Sequence, residues 1–255
     1  MAPLHLRLLL PVLALGLGVA FGFISPLGLA LAGVYIAWIL LAEEPLPHWL
    51  WWSIGLIGSI ALAAHQLPGF SATAFGPAQQ FSADAMPVAL RLSWDKLLVG
   101  LTLLAWWLGR PPEPARQPRL LLVVMPATLV LVPLLAWALG LVGWQVKWPE
   151  QLWLWLALNL GVAVLAEELL FRAWLQPVLV RRLGSGPGLL LGAALFGAAH
   201  LPFSPLFAVV AALAGLGYGL AFHLSGRLWP ALLLHGAVNL LHFVLLSYPL
   251  RVASP

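Results

Sequence analysis

Six polar residues stand inside apolar sequence in the last hundred positions of the chain: Glu167, Glu168, Arg172, His200, His235 and Asn239. An ionisable group at hydrocarbon depth costs roughly 2.5–3.5 kcal/mol, so it usually has a task or a partner. Glu168 and Arg172 are four residues apart. On a helix they share a face and can form an ion pair. Glu167 points about 100° away and is not neutralised by that pair. A carboxyl kept from water in this way is suited to take a proton from a water molecule near neutral pH. The bland alternative is that Glu168–Arg172 only braces its helix and Glu167 faces the bundle. Glu43 and Glu44 serve as a contrast: they lie beside Pro45 and Pro47, have no arginine four residues on, and read as a solvated loop.

The histidines form two further groups. His200 closes a short apolar helix that Pro202 breaks, and Phe196 lies one turn earlier on the same face. Small residues around it (Gly192, Ala193, Ala194, Gly197, Ala198 and Ala199) permit close helix approach. His235 and Asn239 are again four apart, in the last apolar segment. Both can donate hydrogen bonds to an oxyanion that develops during acyl transfer. The alternative is an interhelical polar clasp worth about 1 kcal/mol. His242 reads as structural and His223 as interfacial.

The elements that position these residues are helices in a membrane. The chain of 255 residues is 62% hydrophobic and 8% charged, where a soluble domain carries about a quarter charged residues. Apolar runs suggest nine candidate spans near 4–24, 27–42, 48–66, 93–109, 120–143, 151–180, 188–201, 204–224 and 229–247. The expected fold is therefore an all-α polytopic bundle of about eight or nine spans. It reads as one membrane domain over 1–255, with accessory spans in 1–150 and a catalytic core in 151–247. The run from Arg7 to Ile24 reads as an uncleaved first helix. Tryptophans at predicted span ends (Trp49, Trp51, Trp52, Trp106, Trp107, Trp144, Trp148 and Trp229) suggest an aromatic belt. With the N-terminus inside, Arg7, Arg110, Arg116, Arg119, Arg181, Arg182 and Arg227 are internal, against Arg91, Lys147 and Arg251 outside. That excess supports N-terminus-in topology. Basic residues in short loops thus reflect membrane orientation, and nucleic acid is not an expected partner. No cysteine is present, which excludes disulfides, thiolate metal sites and a cysteine nucleophile. Residues 67–92, the longest non-helical stretch, read as a plain outer loop, and 110–119 as a short basic inner loop.

Taken jointly, the motifs Glu167-Glu168-x-x-x-Arg172, Phe196-x-x-x-His200 and His235-x-x-x-Asn239 resemble those of the CAAX-type, bacteriocin-processing intramembrane proteases (the Abi family), which include type II CAAX prenyl endopeptidases. The resemblance implies that Glu167 and His200 activate a water, that His235 and Asn239 stabilise the oxyanion, and that Glu168, Arg172 and Phe196 support them. It implies a membrane-associated protein or peptide substrate: a CAAX-like tail, a leader peptide or a C-terminal sorting tag. The expected location is a bacterial inner membrane. No cofactor is expected. The family has been described both as glutamic proteases and as metalloproteases; were zinc used, Glu167, Glu168, His200 and His235 would be its ligands. Two rival functions share these residues: a proton-coupled transporter, in which buried Glu and His are usual, and a non-catalytic bacteriocin-immunity membrane protein. The former favours inverted repeats, and the sequence shows no repeat.

Overall fold

The computed structural model describes residues 3–111 and 114–252. Residues 112–113 of the proline-rich 110–119 linker lie outside the described residues. Nine helices occur among those described: α1 (Leu4–Ala20), α2 (Pro26–Leu41), α3 (His48–Ala63), α4 (Trp94–Trp107), α5 (Leu121–Ala138), α6 (Leu152–Leu183), α7 (Ser185–Ala198), α8 (Pro205–Ser225) and α9 (Leu228–Leu245). The chain forms two compact units. The first comprises residues 3–75, 91–111 and 161–174, and the second 76–90, 114–160 and 175–252.

Four helical runs are long and apolar enough to cross a membrane: Pro118–Ala138, Leu152–Leu183, Pro205–Ser225 and Leu228–Leu245. Four more apolar helices, α1, α2, α3 and α7, are 14–17 residues long. A count of eight or nine full-length spans is therefore not supported. Apolar loop residues such as Leu139, Leu141 and Val142 prolong a hydropathy run without prolonging the helix, because the α-helix already ends at Ala138. The exposed surface is nonetheless that of a membrane protein. Only 17% of the Pro118–Ala138 window is buried, and large apolar side chains such as Leu122, Val130 and Leu134 face outward. Water would not tolerate such a continuous apolar surface.

In the first unit, α2 begins at Ser25, whose side chain accepts the Gly28 N–H at 3.3 Å, with Pro26 next in the first turn. A core of Ala14, Leu15, Ile24, Ala32, Ile36, Trp94 and Leu98 joins α1, α2 and α4. Several tryptophans expected at the membrane surface instead pack inside. Trp51 and Trp106 are buried with Trp174, the Trp174 ring centroid lying 4.7 Å from Trp51 and 4.6 Å from Trp106. Trp52 Nε1 donates to the Trp174 carbonyl and Trp174 Nε1 to that of Trp52. Trp49, Trp144, Trp148 and Trp229 do remain exposed, as a belt requires. Glu43, expected to be solvated, pairs with Arg110, whose guanidinium also covers the Trp106 ring. The partner lies 67 residues away in sequence, out of reach of any helical spacing. Within the stretch read as a plain loop, β1 (Thr73–Ala74) pairs antiparallel with β2 (Arg91–Leu92).

In the second unit, glycines set how closely helices approach. Phe196 of α7 lies against Gly215 of α8, and Thr128 of α5 against Gly217 of α8. A Cβ at position 217 would collide with the Thr128 side chain. Gly217→Ala is therefore expected to lower stability by about 1–3 kcal/mol through overpacking, read as a lower unfolding midpoint in detergent. An unchanged midpoint would mean that α5 and α8 can separate freely. Gln176, buried in α6, donates to the Gly219 carbonyl at 2.9 Å. The 139–151 loop runs along the end of α9 and the segment after it: Gln145 and Lys147 donate backbone N–H bonds to Leu245 and Val244, and Ser247 and Arg251 donate theirs to Gly143 and Leu141. Burial holds the Lys147 ammonium below its ordinary range, opposed by the Asp84 charge. Trp155 stacks on Phe243 with 4.2 Å between ring centroids.

Helix α6 carries its middle in the first unit and its ends in the second. Two of its segments, Asn159–Val164 and Leu169–Leu175, are wound as π-helix. Such turns are rare and often occur at functional positions. The four residues between them, Leu165–Glu168, contain both motif glutamates.

Candidate active site

The motif residues of α6 lie in the first unit. Glu168 and Arg172 are fully buried and pair at 3.1 Å, as their spacing predicts. Glu167 points to a different neighbour. Lys96 of α4 places its Nζ 2.7 Å from Glu167 Oε1, with both side chains about one-fifth exposed. The expectation that Glu167 is not neutralised holds only for its own helix: the cation comes from another one. Close helix approach makes this possible, since Gly100 of α4 packs against Ala166. Next to Lys96, Asp95 is buried; its Oδ1 accepts the Lys96 backbone N–H at 2.8 Å and its Oδ2 binds His65 Nδ1 at 2.7 Å.

The histidine motifs lie in the second unit, where His200, His235 and Asn239 line one cavity of about 70 Å³. That space holds more than one water molecule. His200 lies just beyond α7, which ends at Ala198. Its Nδ1 is 2.8 Å from the Phe196 carbonyl, an acceptor only, so Nδ1 is the donor, and an uncharged imidazole held this way has its lone pair on Nε2. His235 is buried and sandwiched by aromatic rings. Tyr218 stacks on it at 4.4 Å between centroids, and Phe196 meets it edge-on at 5.8 Å. Asn239 Nδ2 donates to Asn159 Oδ1 at 3.2 Å. His242, expected to be structural, bonds the Ser247 carbonyl through Nε2 at 3.0 Å, although its ring also lines the cavity. His223 sits in the last turn of α8.

The structure thus brings together Glu168 with Arg172, and His200 with His235 and Asn239. It adds Lys96, Asn159 and Tyr218, which spacing alone does not single out. Lys96 and Asn159 did carry a signal, being polar side chains within apolar segments. Tyr218 carried none beyond its position among Gly215, Gly217 and Gly219.

A mostly helical chain with apolar outward faces and polar groups gathered inside is an integral membrane protein. Residues 149–241 match the family model described as Type II CAAX prenyl endopeptidase Rce1-like. All three motifs fall inside that stretch, which bears out the resemblance they carry and points to CAAX-type intramembrane protease activity. No curated protein and no solved structure matches the chain significantly.

Proposed function

We propose that this protein is an intramembrane endopeptidase that hydrolyses a peptide bond in a membrane-associated protein or peptide, using water activated by Glu167 and His200. The cavity lined jointly by His200, His235 and Asn239 carries this reading. A base takes a proton from water, and the hydroxide adds to the scissile carbonyl carbon. The carbonyl oxygen becomes an oxyanion, for which His235 and Asn239 supply donors. Collapse breaks the C–N bond, and the proton passes to the leaving nitrogen. The lone pair on His200 Nε2 supports a base role. The Asn239 amide has two N–H bonds; Asn159 takes one and fixes the plane, leaving the other for the oxyanion. Phe196 positions His200 through its carbonyl and His235 through its ring. The buried Glu168–Arg172 pair braces α6, and Lys96 positions Glu167.

No resident metal is assigned. Zinc would need carboxylates free to bind it, yet Glu167 faces an ammonium at 2.7 Å and Glu168 a guanidinium at 3.1 Å. That donor set fits a divalent cation poorly. Elemental analysis of active, chelator-treated protein tests this; stoichiometric zinc that tracks activity would refute it. The reading also takes residues 151–247 as the catalytic core, with Lys96 contributed by the accessory region. It counts the shorter apolar helices as spans, in a bacterial plasma membrane with the N-terminus inside.

The test is cleavage by purified protein in liposomes, assayed on a fluorogenic farnesylated CAAX peptide, a leader peptide and a C-terminal sorting-tag peptide. Hydrolysis of one of them is expected; failure with all three sinks the reading. With the cleaved probe, Asn239→Ala is expected to lower turnover by about 10²–10³-fold, some 2.7–4 kcal/mol of barrier. An effect on binding alone would make Asn239 a structural clasp.

A further inference from the structure

A second opening lies in the first unit, at the end of α4 that carries Lys96. It is a cleft of about 300 Å³ whose lining includes His65, Phe70, Ser71, Arg91, Ser93 and Asp95. Its walls are tied down on several sides. β1 pairs with β2, and Trp94 Nε1 donates to Thr73 Oγ1 at 2.9 Å. The Gly69 carbonyl accepts the Ser25 N–H at 3.0 Å, and the Gly69 backbone runs so close to Gly28 that a Cβ would not fit between them. His65 is held with φ at +58°, the only non-glycine residue at positive φ among those described. That conformation closes the C-terminus of α3, where the His65 N–H donates to the Leu62 carbonyl and the Gln66 N–H to the Ala61 carbonyl. It leaves His65 Nδ1 2.7 Å from Asp95 Oδ2.

The chemistry of the lining favours an anion. Arg91 is exposed, lines the cleft and has no ion pair among the described residues. Ser71 and Ser93 add hydroxyl donors. Asp95 is the one carboxylate in the lining, and both its oxygens are occupied, by His65 and by the Lys96 N–H. A guanidinium with hydroxyls beside it suits a planar carboxylate through paired hydrogen bonds. The neighbouring groups identify whose carboxylate this is. Asp95 leads directly to Lys96, and Lys96 holds Glu167.

We propose that this cleft is a subsite for the free C-terminal carboxylate of the peptide substrate, with Arg91 as its principal contact. The assignment rests on the protease reading, and it favours tails cleaved near their C-terminus over leader peptides. Substrates would enter with the anionic end in the cleft and the scissile bond towards Glu167.

Binding separates the two ideas. A fluorescent farnesylated CAAX-tail peptide is prepared with a free C-terminal carboxylate and as the C-terminal amide. Anisotropy titrations use purified Glu167→Gln protein in detergent, with and without Arg91→Gln. The amide is expected to bind about tenfold to a hundredfold more weakly than the acid, the range of a charge-assisted hydrogen bond. Arg91→Gln is expected to weaken the acid by the same factor and leave the amide unchanged. Equal binding of acid and amide, or equal loss of both in Arg91→Gln, overturns the subsite. So does a difference that disappears with inorganic phosphate or phosphatidylglycerol at concentrations too low to occupy a carboxylate site, which would identify a phosphate or lipid-headgroup site instead. If acid and amide are distinguished as expected but wild-type protein cleaves neither, the subsite stands and the protease reading falls.

Discussion

Glu167→Gln is expected to abolish hydrolysis of a cognate substrate while the protein still inserts and folds. A positioned general base contributes about 10²–10⁴-fold, and Gln keeps the shape of Glu while losing its basicity. The environment of Glu167 explains why folding should survive. The side chain is about one-fifth exposed, and its partner Lys96 is similarly placed, so the ammonium retains contact with water after the substitution. Turnover in liposomes and the unfolding midpoint in detergent read the two effects separately. Full activity in Glu167→Gln would refute the proposed mechanism. Lost activity accompanied by a collapsed midpoint would assign Glu167 to the fold.

Arg172→Met is expected to act in the opposite way, on the fold first. Glu168 and Arg172 are 0% and 1% exposed in their side chains. Removing one member of a buried pair leaves the other charge without its compensation, at a cost of about 3–5 kcal/mol. Replacing both can be nearly neutral, because neither desolvated charge remains. The double variant Glu168→Gln with Arg172→Met should therefore recover most of the midpoint lost in Arg172→Met alone. A single-variant loss below about 1 kcal/mol, the range of an exposed pair, would show that water reaches this ion pair and that it does not brace α6.

These two variants separate residues that are neighbours in sequence. Glu167 and Glu168 differ by one position, yet one lies at a partly open cationic contact and the other in a closed ion pair. Helical spacing made half of this legible. A separation of four residues puts Glu168 and Arg172 on one face, and the pair forms even though Arg172 lies in a π-helical segment. The same local rule places His235 and Asn239 on one side of α9, where both reach the cavity. Local rules could not supply Lys96. Its contact with Glu167 spans 71 residues and depends on how closely α4 and α6 pack. The contact between Asn159 and Asn239, 80 residues apart, was hidden for the same reason.

Composition and apolar runs by themselves determined that the chain lives in a membrane, because few charges and long hydrophobic stretches leave no soluble alternative. The three motifs determined the family resemblance. Tertiary structure decided the rest. It turned Trp51 and Trp106 from expected surface anchors into core, since a tryptophan at the end of an apolar run packs equally well in lipid or in protein. It fixed the tautomer of His200 through the Phe196 carbonyl, gave Glu167 a cation from another helix, and shaped the cleft at Arg91. Each of these depends on which helices and loops meet, and hydropathy is blind to that because the same apolar surface can face lipid or a neighbouring helix.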